Sequence, residues 1–103
     1  MADGNYRIGS LAVAVADGVA QLAGTQTIAG STATMDRVFR FAVANSGVAR
    51  DDALQLAVAQ SSMNPARALG LPSPALVAGG RADLAVLDAE LAVVDVLHRG
   101  SWV

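Results

Sequence analysis

Apolar and polar positions follow three different rhythms along these 103 residues. Leu11, Val13 and Val15 alternate with Ala12, Ala14 and Ala16, the two-residue period of a β-strand. Asp17-Gly18 supplies a turn and residues 19–22 return, so residues 8–22 are predicted to form a hairpin. With valines on one face and alanines on the other, both faces are expected to be covered, the alanine face closely. Residues 24–31 (Gly-Thr-Gln-Thr-Ile-Ala-Gly-Ser) read as a loop. The rhythm then changes. Met35, Val38, Phe39, Ala42 and Val43 fall on one stripe of a helix, with Met35 and Phe39 expected in the core. Ser31 or Thr34 is placed to cap its start, and Gly47 to stop it. A second helix is predicted from Arg50 to about Ser61, with Asp51 and Asp52 favouring its positive end. Asn64-Pro65 predicts a fresh helix start, Asn capping and Pro in the first turn, ended by Gly70. After Leu71 the texture is that of a loop: Pro72, Pro74 and Gly79-Gly80. Strands over 84–87 and 91–98 follow, joined through Asp88-Ala89-Glu90. Gly100 turns the chain into Trp102-Val103, read as a strand with no partner. The predicted class is α+β: a β-hairpin, about three helices and C-terminal β-strands, with a boundary near residues 71–80. No internal repeat is present.

Composition sharpens this picture. Hydrophobic residues make up 53%, too many for a disordered chain, but aromatics only 4%. The core must therefore be built from Ala, Val and Leu, whose shallow side chains suit faces lying against another layer. All seven basic residues are Arg, scattered from Arg7 to Arg99, and the net charge is -2. With no basic stripe to track phosphates, no nucleic-acid partner is expected. The absence of cysteine excludes disulfides, thiolate metal ligands and cysteine nucleophiles, and fits a reducing cytoplasm. Arg7 followed by the apolar run 11–16 is too short for a secretory signal. No run reaches the ~18 apolar residues that would cross a bilayer, so no membrane partner is expected.

Candidate chemistry is sparse. His98 is the single histidine and cannot make a metal site without converging carboxylates; at a strand end it reads as a surface residue. Asp51 and Asp52 are adjacent, so they point apart and read as complements of a helix terminus. Asp3, Asp17 and Asp88 read as turn residues. Ser31 lacks the Gly-x-Ser-x-Gly elbow and has no base but distant His98, so it reads as a cap. No catalytic and no metal-binding residue is assigned.

Three segments carry a family resemblance. Thr27-Ile28-Ala29-Gly30-Ser31-Thr32-Ala33-Thr34-Met35-Asp36-Arg37 resembles the Leu-Ala-Gly-Ser-x-x-Thr-Met-Asp signature of N-acetylglucosamine-6-phosphate deacetylases. Asn64-Pro65-Ala66-Arg67-Ala68-Leu69-Gly70-Leu71 and the stretch 76–88, with Gly79-Gly80-Arg81-Ala82-Asp83-Leu84, resemble segments common across the amidohydrolase superfamily. The opening Asp3-Gly4-Asn5-Tyr6-Arg7-Ile8-Gly9 is similar to the family's loop after the eighth barrel strand. Pro74-Ala75 stands where the family usually has Gly, and Ala49 where it has a capping Ser.

The resemblance implies a TIM barrel with a small β-sandwich. Residues 1–71 would be the barrel's last hairpin and outer helices, and residues 72–103 strands of the sandwich. It implies hydrolysis of the acetamide of a sugar phosphate in amino-sugar catabolism, by water activated on a divalent metal, zinc or similar. The implied metal ligands and general-base Asp match nothing here, so the chain alone is expected to hold no cofactor and to be inactive. Ile28, Ala29 and Gly30 match the segment lining the substrate pocket. The sugar phosphate is thus a partner of the parent enzyme only, in the cytoplasm. Exposed strand edges are expected to make the chain a homo-oligomer. Two alternatives stand beside this: the same region of another amidohydrolase, such as an N-acetylgalactosamine-6-phosphate deacetylase, or a non-enzymatic self-association module.

Overall fold

The computed structural model describes all 103 residues, which form two compact units, Met1–Thr34 and Met35–Val103. The first is a four-stranded antiparallel sheet in the order β1 (Gly4–Ile8), β2 (Leu11–Ala16), β3 (Val19–Leu22) and β4 (Ile28–Gly30). Tyr6 pairs with Val13 and Val13 with Leu22; Gly4 pairs with Val15 and Val15 with Ala20. That register puts Tyr6, Val13, Val15, Ala20 and Leu22 on one face. Val13, Val15 and Ala20 are buried there, with Tyr6, Leu22 and Ala29 packed against them. At the β2–β3 turn Asp17 and Gly18 have φ of 51° and 75°, the two left-handed residues of a type I′ turn.

The expected hairpin is present, but the sheet is wider on both sides. Residues 4–8 form β1 rather than a loop, because Tyr6 and Ile8 alternate with Asn5 and Arg7 and pair along the whole of β2. Part of the expected loop 24–31 is β4, drawn into the sheet by pairing with β3. The alanine face is not closely covered: Ala12 and Ala16 are exposed.

In the second unit α1 (Met35–Ala44) is followed by α2 (Arg50–Val58), a π-helical turn (Ala59–Met63) and α3 (Asn64–Ala68). Burial falls on Ala53 and Ala57 of α2, not on α1. Met35 is exposed and Phe39 half-buried, which corrects their expected core role. Two alanines one turn apart admit only a shallow contact between α1 and α2, too shallow to engulf a large side chain.

The helix also does not restart at Asn64. Val58, Met63 and Asn64 are all right-handed helical and no side-chain cap forms, so α2 runs through to Ala68. Pro65 supplies the reason. Inside a helix its ring crowds the carbonyl four residues back and it has no N–H to donate. The helix widens by one residue just upstream, where the Asn64 N–H reaches Ala59 O, five residues back. The C-terminus is as predicted. Gly70 has φ 65°, its N–H bonds Arg67 O at 3.2 Å, and the Leu71 N–H bonds Ala66 O at 2.9 Å, a Schellman stop.

The second sheet is antiparallel in the order β5 (Leu84–Leu87), β6 (Val93–His98), β7 (Ser101–Trp102). The terminal strand does have a partner: Trp102 pairs with Leu97 and Ser101 with His98. Arg99 and Gly100, both left-handed, form the two-residue turn that returns it. Arg40 donates to Leu91 O and Arg50 to Ala89 O, fastening the helices to the β5–β6 turn.

Candidate functional site

Ile28, Ala29 and Gly30 lie together as β4, an edge strand paired only to β3. Its start is set by a tight turn. The Thr25 hydroxyl donates to Leu22 O at 3.0 Å and accepts from the Thr27 N–H at 3.1 Å, and the Leu22 N–H donates to Thr27 O. Ala20 pairs with Gly30 but Gln21 with Ile28, so Ala29 is the extra residue of a β-bulge. A bulge re-aims the side chains around it. Here Ala29 packs toward Val13, Val15 and Ala20, while Ile28 is 71% exposed. Gly30 has no positive φ, and a Cβ built on it meets nothing within 4 Å.

The other end of β4 is held by side chains. The Asp3 carboxylate accepts from the Asp17 N–H (3.1 Å) and the Gly18 N–H (3.3 Å), and the Thr32 hydroxyl donates to Gly18 O at 2.5 Å. Ser31 Oγ accepts from the Ala33 N–H, a local turn with no base beside it.

In the second unit Asp83 gathers the charged residues. Its carboxylate accepts from the Arg99 N–H at 2.7 Å, lies 3.2 Å from His98 Nδ1 and pairs with Arg81. The Arg99 backbone bond, helped by the charges of Arg81, His98 and Arg99 and opposed by partial desolvation, holds the Asp83 carboxyl below its ordinary range. Asp51 and Asp52 sit in the first turn of α2, as their spacing predicts. Nowhere do three His, Asp or Glu side chains converge as metal ligands would. His98 and Asp83 are engaged with each other and with two arginines, so this donor set does not fit a catalytic divalent ion. A concavity of about 350 Å³ between Ala59, Met63, Arg67, Leu71 and Pro74 carries the Ser73 hydroxyl but no carboxylate or imidazole in its wall to activate it.

The sequence read residues 24–31 as a loop in which only the resemblance marked Ile28, Ala29 and Gly30; it read Asp3 as a turn residue and gave no role to Thr32 or Asp83. Asp3 lies 14 residues from Asp17 and Asp83 lies 16 from Arg99, distances at which no local pattern shows.

No family model matches the chain. Its sequence and its backbone nonetheless both match deacetylases. They match in particular the C-terminal part of the N-acetylglucosamine-6-phosphate deacetylases. The proteins of that name from Rattus norvegicus, Mus musculus and Homo sapiens are each 36% identical over 105 residues, covering 100% of this chain. The chain spans about a quarter of their length, 25%. The N-acetyl-D-glucosamine-6-phosphate deacetylase of Mycobacterium smegmatis is 62% identical over 100% of this chain, with a TM-score of 0.91. A mutant of that enzyme, solved in complex with N-acetyl-D-glucosamine-6-phosphate, gives a TM-score of 0.94 and 63% identity over 99% of this chain and 27% of its own. No helix here is long and apolar enough to cross a membrane.

Proposed function

We propose that this chain supplies the C-terminal quarter of an N-acetylglucosamine-6-phosphate deacetylase, with Ile28, Ala29 and Gly30 forming part of the wall around the acetylated sugar. Gly30 carries this reading. Neither backbone conformation nor crowding inside the chain calls for glycine there. Glycine in a strand costs stability, so its reason lies outside the chain's own fold. A backbone bare of Cβ lets a ligand approach closely, and the exposed edge of β4 offers unpaired N–H and C=O groups to it.

The reaction is hydrolysis of an acetamide to acetate and an amine. The divalent metal implied for the parent enzyme, zinc or similar, would be held by residues outside these 103, because the donors present do not converge. Within the longer protein, residues 1–71 would belong to the hydrolase barrel and 72–103 to a small β-sandwich. The Schellman stop at Gly70 and the prolines after it support a boundary there. The two compact units of the chain are a different partition, of contacts within this quarter alone. The setting proposed is the cytoplasm, where sugar phosphates are metabolised, and the exposed edges of β5 and β7 support self-association of the chain by itself.

Two measurements test this. The chain incubated with N-acetylglucosamine-6-phosphate and Zn²⁺ releases no acetate above a protein-free control. Joined behind the upstream three-quarters of the Mycobacterium smegmatis deacetylase, it gives an active chimera in which Gly30→Val raises KM about tenfold or more. The same substitution does not lower the melting midpoint of the isolated chain, because a strand gains stability when glycine is replaced and nothing crowds the new side chain. Turnover by the chain alone, or an unaltered KM in that chimera, overturns the proposal.

A further inference from the structure

We infer that Asp3 and Thr32 are positioning residues that hold the Ile28–Gly30 segment in its substrate-binding register, acting through the Asp17-Gly18 turn. The inference rests on the proposal that this segment lines the pocket. β4 is poorly held by its own ladder: it is an edge strand of three residues with two pairing positions and a bulge between them. Such a strand is prone to slip, and a slip of one residue exchanges the faces of its side chains. It would move the bare Gly30 backbone and put Ala29 or Ser31 in its place.

One end of β4 is fixed by the Leu22–Thr27 backbone bond. At the other end the ladder stops at the Ala20–Gly30 pair. Two residues further along each strand stand Gly18 and Thr32, where side-chain bonds take over. The Thr32 hydroxyl takes the Gly18 carbonyl, and the Asp3 carboxylate takes the N–H groups of Asp17 and Gly18. The turn is thus gripped on its donor side by the residue preceding β1 and on its acceptor side by a residue following β4. The N-terminal ammonium also lies 3.4 Å from Thr32 O, and Tyr6 Oη donates to Ala2 O at 2.8 Å, tying the same corner together. Asp17 stands at φ 51°, a conformation Asp adopts in a type I′ turn, and its N–H is satisfied by the Asp3 carboxylate. The Asp3 carboxylate and the Thr32 hydroxyl are both engaged by backbone groups of the turn, so they act on a ligand by setting where Ile28 and Gly30 stand.

The test uses the active chimera and three substitutions: Thr32→Val, which keeps shape and removes the hydroxyl, Thr32→Ser, which restores it, and Asp3→Asn. Losing one such bond shifts an equilibrium about threefold to tenfold. Thr32→Val and Asp3→Asn are each expected to raise KM by that factor with kcat within about twofold, and Thr32→Ser to return KM to the parent value. In the isolated chain, Thr32→Val is expected to speed amide exchange at Gly18, whose N–H is held in the turn, while the β1–β2 ladder stays protected. Gly30→Val separates the two claims. If it raises KM while Thr32→Val and Asp3→Asn do not, the positioning role is wrong and the pocket stands; if it leaves KM unchanged, the pocket reading itself fails. A fall in kcat and in exchange protection across the whole sheet, unrelieved by Thr32→Ser, would show a general structural role and overturn the inference.

Discussion

Ala49 holds the N-cap position of α2 with φ -59° and ψ 152°, the extended geometry a cap requires, yet has no side-chain acceptor to offer. Asp51 and Asp52 in the first turn supply only the charge term at that end of the helix. Ala49→Ser is therefore expected to stabilise the chain by about 0.5–1 kcal/mol. A urea titration reads this as a higher midpoint at constant slope; an unmoved midpoint rejects it. The missing cap at Ala49 was marked by the resemblance, which puts a capping Ser at that position. The work of Asp3 was not, since a turn residue and a carboxylate gripping a distant turn look alike until the chain closes on itself.

Among the elements, the hairpin of β6 and β7 hangs on Asp83. Its carboxylate binds the Arg99 N–H in the turn, and the Gly100 N–H reaches Ala82 O beside it. Because the folded carboxyl titrates below the ordinary 3.8, the ionised form is the one the fold prefers. The clasp is thus complete above the ordinary carboxylate range and is lost as pH falls through the lower folded value. The Arg99 amide proton shift, followed by NMR against pH, is expected to titrate with a midpoint under 3.8 and to lose that step in Asp83→Asn. A midpoint at or above 3.8 contradicts the assignment. The helices teach a related lesson. Period and charge placed α1 and α2 closely, but Asn64-Pro65 signals a helix start equally well as a proline absorbed by a widened turn. Continuity with Met63 chose the second.

For the whole molecule the decisive quantity is surface. The chain exposes 7627 Å². A self-sufficient folded monomer of its 10.4 kDa would expose about 5,400 Å². The surplus is the size of a large protein–protein interface. Only five hydrophobic residues are buried (Val13, Val15, Ala20, Ala53 and Ala57), while side chains such as Ile28, Phe41, Leu76 and Trp102 are open. Exposed large apolar side chains of this kind favour association. The melting midpoint of the isolated chain is expected to climb as its concentration rises from micromolar to hundreds of micromolar. A midpoint independent of concentration, with light scattering at the monomer mass, would show that the exposed faces need no cover.

The sequence by itself determined whatever depends on near neighbours: the β2–β3 hairpin and its Asp17-Gly18 turn, the two longer helices, the Gly70 stop and the strands after residue 83. The small, aromatic-poor side chains also accord with how few residues the chain buries. Tertiary structure alone decided β1 and β4, the continuous helix through Pro65, the paired terminal strand and the exposure of α1. Each turns on which distant backbone or side chain supplies a hydrogen bond or an apolar neighbour, and such pairings exist only once the chain has folded back on itself.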